Sequence, residues 1–184
     1  INYISQYVDR EFSLAGKMNR NLYTSLGLDP KGSLFDIQLA PLRDLQTIIQ
    51  ERDPLIRNFL IDRHFMAIEY LYDLNSRFYK NQFEQNKITS KQYISYQWSL
   101  GKIGQMIDEY NTSLKIHMNL SIPKEDQTKL ISSLSGQLDL IFKGINLSTQ
   151  ELSPWEYSLA VDGVLTTFRG KGIELKNCFS NLAR

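Results

Sequence analysis

Between Asp53-Pro54 and Thr89-Ser90 the chain carries one helical pattern of roughly ten turns, with a polar line down the middle of its apolar face. At about 100° per residue, Ile56, Leu60, Ala67, Leu71, Leu74 and Phe78 fall on one flank of that face. Ile61, Phe65, Ile68, Tyr72, Tyr79 and Phe83 fall on the other, and Arg57, His64, Asn75 and Gln82 lie between them. A buried polar group left without a partner costs about 1–3 kcal/mol. The midline must therefore be paired, hydrated or open to a cleft, while both flanks need other helices to cover them.

The rest of the sequence supplies such helices. No segment sustains a period of two, and every long stretch reads as helix. A first helix is expected over residues 2–26, closed by Gly27 and followed by a turn at Asp29-Pro30 and a short turn over 33–39. A second is expected from Pro41 through Leu42, Leu45, Ile48 and Ile49. Asp53-Pro54 is an N-cap acid followed by proline at the first helical position. Thr89-x-x-Gln92 is a capping box. Behind it, Tyr93, Tyr96, Leu100, Ile103, Ile107, Tyr110 and Leu114 alternate spacings of three and four, a knobs-into-holes seam whose next position is His117. Gly101 and Gly104 flank that seam and would allow close approach of a neighbouring helix. Another helix opens at Pro123, with the seam Ile131, Leu134, Leu138, Ile141 and Ile145. Ser148-x-x-Glu151 and Ser153-Pro154-x-Glu156 are overlapping start signals for a last one, whose stripe Tyr157, Val161, Val164, Phe168, Gly172, Leu175, Phe179 and Leu182 runs through Gly170-Lys171-Gly172, where the helix is expected unbroken, kinked or split. The pattern predicts an all-α fold, a single-domain bundle of five or six largely antiparallel helices spanning residues 1–184.

Composition narrows the function classes. With 42% hydrophobic and 22% charged residues the chain is in the globular range. Its formal charge of +1 gives no bulk attraction for nucleic acid, and no nucleic-acid partner is expected. No window approaches 18 consecutive apolar residues, so no transmembrane segment is expected. The single cysteine, Cys178, follows Ile173 and Leu175 and reads as a buried small hydrophobe. The chain begins at Ile1, which suggests a fragment or processed part of a longer protein. Its richness in Ile, Asn, Lys and Tyr suits an AT-rich bacterial genome.

Catalytic constellations are missing. There is no phosphate-cradling glycine loop, no His-Glu-x-x-His, no Glu-x-x-His pair and no nucleophile elbow. No catalytic residue, metal ligand or cofactor is expected. The carboxylate pairs Glu69/Asp73 and Asp108/Glu109 read as solvated helix faces.

Two other sets of residues stand out. Tyr70, Tyr93, Tyr96 and Trp98 cluster with Tyr79 toward one end of the helical hairpin centred on residues 86–89; Tyr70 and Trp98 fall off the main seams. Exposed aromatics with a polar rim are anchors of protein interfaces; the competing reading is burial beneath further helices. Arg57, His64, Asn75 and His117 form the second set. In an antiparallel hairpin His64 and His117 come within several ångströms of the same depth. A site built from these four would take a small polar or anionic ligand. The sequence thus favours a non-catalytic helical protein–protein interaction module within a larger bacterial protein or assembly, its partner another protein. The alternative is an extracytoplasmic ligand-binding sensor domain with a polar pocket between its helices.

Overall fold

Asp53 begins the long helix as its sequence dictates: the carboxylate accepts the Leu55 amide at 2.9 Å, and Pro54 occupies the first turn, where no amide hydrogen is needed. The structure, a computed structural model, describes residues 45–118, 120 and 122–179. The helix expected over 2–26, the turns at 29–30 and 33–39 and the opening of the helix at Pro41 lie outside these residues, as does Leu182. Within them the helices are α1 (Leu45–Gln50), α2 (Pro54–Glu84), α3 (Ser90–Met118), α4 (Lys124–Asn146) and α5 (Pro154–Phe179), with a 3-10 turn at Leu147–Gln150. No strand occurs among the described residues, and the helices form an all-α bundle.

Local signals set the boundaries. After α2 the chain turns at Asn86, which takes the left-handed conformation with φ 58°, a region that asparagine tolerates better than most residues. Thr89 and Gln92 then close the reciprocal capping box, with amide contacts of 2.8 and 3.1 Å. Ser153 and Glu156 start α5, the Ser153 hydroxyl accepting the Glu156 amide at 3.2 Å and donating to its carboxylate at 2.8 Å. The helix then continues unbroken through Gly170-Lys171-Gly172.

α3 packs on α2, α4 and α5, and α4 touches every other helix among the described residues. The α2–α3 hairpin is antiparallel, since Tyr79 meets Tyr96, Tyr72 meets Leu100, and His64 meets Tyr110. Gly104 permits this close packing: a Cβ there would stand 3.2 Å from the Tyr72 hydroxyl. Gly172 does the same for α4 against α5, where a Cβ would stand 3.2 Å from Gln137 Nε2. Gly101, by contrast, has open space around it. The core runs through Ile68, Leu71, Ile103, Met106, Leu114, Leu130, Leu134, Ile141, Val161 and Phe168, each large side chain contributing about 1.5–3 kcal/mol by burial.

One expectation is corrected. Cys178 is exposed rather than buried, because it sits about 60° round the helix from buried Leu175, beyond the edge of the core-facing stripe.

Candidate functional site

The polar midline of α2 divides into a dry part and an open part. His64 and Asn75 are fully buried in the core. His64 Nε2 lies 2.8 Å from the Tyr110 hydroxyl. Asn75 is a polar neighbour of Tyr157, but neither its amide atoms nor the Tyr157 hydroxyl close a hydrogen bond. Burial pushes the phenols of Tyr79, Tyr110 and Tyr157 well above their ordinary range, so all three stay protonated. Gln82 is half-buried.

Arg57 and His117 do come together. Both line a cavity of about 760 Å³ where the end of α1 and the start of α2 meet the end of α3 and the start of α4. His117 Nδ1 is 2.6 Å from the Ser113 carbonyl, which only accepts, so this nitrogen carries the proton. The four residues grouped by sequence thus occupy two environments: His64 and Asn75 within the core, Arg57 and His117 at the cavity.

The aromatic set also divides. Tyr96 is core; it stacks on Tyr79 with centroids 4.4 Å apart and donates its hydroxyl to the Leu152 carbonyl at 2.6 Å. Tyr93 is half-buried and stacks on Phe83 at 4.9 Å. Tyr70 is half-buried against the core, and this partial burial raises its phenol pKa. Trp98 alone of the four is broadly open, with 75% of its surface exposed.

Trp98 has company that the sequence reading did not single out. Lys102 pairs with Asp162 at 2.6 Å and Glu109 with Arg169 at 3.1 Å, so α3 and α5 run parallel with a constant offset. Trp98 is one turn before Lys102 on the same face, and Trp155 is two turns before Asp162 on the same face. The two tryptophans therefore flank one end of the α3–α5 furrow, and Trp155 is 72% exposed. Ile94 and Leu159 extend the apolar surface outward on either side. Beyond the two ion pairs the furrow opens into a second cavity of about 930 Å³ with apolar walls, including Ile116 and Ile173 and floored by Phe168. Gln137 also lines it, buried to 3% exposure with its Oε1 unbonded. The available sequence signal was the spacing of Trp155 and Leu159, four apart and off the core stripe of Tyr157, Val161 and Val164.

Among the described residues no group of three or more His, Cys, Asp or Glu is placed to hold a metal ion. Asp73 is exposed and pairs with Arg77 at 2.7 Å, and Glu69 is exposed as well. No helix among the described residues is long and apolar enough to cross a membrane. No protein-family model, curated protein or solved structure matches this chain.

Proposed function

We propose that this chain is a non-catalytic helical protein–protein interaction module and that its working surface is the outer furrow between α3 and α5. The observation that carries this reading is the pair of exposed tryptophans. Both tryptophans of the sequence stand at the same end of two adjacent parallel helices, each with nearly three quarters of its surface in solvent. A tryptophan is the side chain most enriched at binding hot spots, and two exposed together are a large apolar surface to leave in water. From Trp98 to Ile116 the furrow extends about 27 Å along α3, the length of a five-turn partner helix. Its chemistry fits such a partner: apolar anchors at both ends and two ion pairs between them. A helix laid in a groove with apolar side chains at spacings of three and four is a recurring recognition mode.

The test is quantitative affinity capture from the protein's own host, comparing the wild-type chain with a Trp98→Ala/Trp155→Ala variant whose helical content is checked first. This reading expects at least one protein held by the wild type and depleted about tenfold or more by the double variant, as loss of hot-spot residues implies. An unchanged set of captured proteins contradicts it.

A further inference from the structure

We infer that the cavity lined by Arg57 and His117 is a binding site for a small organic oxyanion carrying two or more negative charges, in the form of a phosphate ester or a polycarboxylate. Among the described residues its ionisable lining consists of Arg52, Arg57, Lys124, His117 and Glu51. Three of these are fixed cations and only one is an acid. Of the acids at this end, Glu51 Oε1 accepts the Asp53 amide at 3.1 Å and Asp53 Oδ1 accepts the Leu55 amide at 2.9 Å, while Glu125 and Asp126 in the first turn of α4 are not among the residues that line the cavity. None of Arg52, Arg57 and Lys124 forms an ion pair among the described residues.

Arg57 is the residue that makes this arrangement informative. Its Nε is buried and closes no hydrogen bond. Burying a charged donor without an acceptor costs more than burying a neutral one, and an oxyanion offsets that cost through a bidentate guanidinium contact. Lys124 and Gln127, in the first turn of α4, line the same rim. Apolar Ile49, Ile122 and Leu130 complete the wall. A cavity of about 760 Å³ is of the size that holds organic ligands, roughly 300–1,000 Å³. The geometry therefore seats the anionic groups on the arginines and an organic body against the apolar wall. The site lies at the opposite end of α3 from Trp98, beside the far cavity of the furrow, with which it shares His117 and Leu120.

The test is an NMR titration of the full chain with inorganic phosphate and, separately, with citrate, at ionic strength held constant with sodium chloride. The Arg57 Nε–H resonance and the His117 ring are the reporters. The expected result is a saturable shift of both reporters by at least one of the two anions. Saturation by phosphate assigns a phosphate ester, and saturation by citrate a polycarboxylate. Arg57→Gln is expected to weaken binding about tenfold, the loss of one charge-assisted pair. Should that variant unfold, Arg52→Gln at the exposed rim replaces it, with several-fold weakening expected. Absence of a saturable shift below about 10 mM of either anion, or unchanged affinity in the folded variant, overturns the inference.

Discussion

Lys102 Nζ and Asp162 Oδ1 meet at 2.6 Å across α3 and α5, and Glu109 and Arg169 repeat the contact with both partners seven residues further on. Equal steps in the same direction make the two helices parallel, which is the expected relation for alternate members of an up-and-down bundle. These pairs are partly exposed, so their worth is modest. Their significance is geometric: they fix the register that sets Trp98 beside Trp155.

That register is open to a direct check. Exchanging the charges in Lys102→Asp/Asp162→Lys is expected to restore most of the stability lost by either single reversal, with a coupling of about 0.2–1 kcal/mol that falls as salt rises. Urea denaturation of the four proteins measures it. Independent, additive losses would place the two side chains apart.

The tryptophans should behave as surface groups. Because both are largely solvent-exposed, their fluorescence in the folded protein is expected to be red-shifted and readily quenched by acrylamide. Trp98→Ala and Trp155→Ala should each change folding stability by no more than about 0.5 kcal/mol, as ordinary surface substitutions do. A loss above about 2 kcal/mol in either would show that the side chain is packed.

Two buried tyrosines give opposite expectations for the same change. Tyr110→Phe removes a buried hydrogen bond to His64 Nε2 and should cost about 1–2 kcal/mol. Tyr157→Phe removes a hydroxyl that closes no hydrogen bond and should lie within about 0.5 kcal/mol of the wild type or stabilise it. Thermal or chemical denaturation separates the two; equal losses would contradict the contrast.

The same tyrosines make the fold sensitive to base. Burial raises the folded-state pKa of Tyr79, Tyr110 and Tyr157, whereas in the unfolded chain a tyrosine ionises near pH 10. Above about pH 10 the unfolded state sheds protons that the folded state keeps, so stability must fall as pH rises. Below that pH the contribution is fully present. Unfolding curves between pH 8 and 11, roughly the window around that ionisation, should show the decline, and Tyr157→Phe should lessen it. Flat stability across the window would contradict the assigned burial.

Much of this architecture is legible in the sequence because it is local. Asp53, Thr89 with Gln92, and Ser153 with Glu156 mark helix starts through contacts spanning only a few residues. The seam from Tyr96 to Leu114 reports burial directly, since a three-four spacing keeps one face inward. The midline of α2 is harder to read. His64 and Arg57 are seven residues apart on one face, yet one meets Tyr110 in the core while the other reaches a cavity. What separates them is where α3 and α4 end, which is tertiary information. The furrow is less legible still: nothing in the periodicity of α3 or α5 states that they are parallel neighbours, so Trp155 could not be set beside Trp98 in advance. Tyr96 shows the converse, a seam aromatic drawn wholly into the core by Tyr79 and Tyr157.

The most direct measurement is site-specific photo-crosslinking in the host, with the crosslinking residue placed in turn at Trp98, at Trp155 and at exposed Glu69 on α2. The interaction account predicts that positions 98 and 155 capture the same protein and that position 69 does not. Capture from neither tryptophan position, or the same capture from all three, would contradict it.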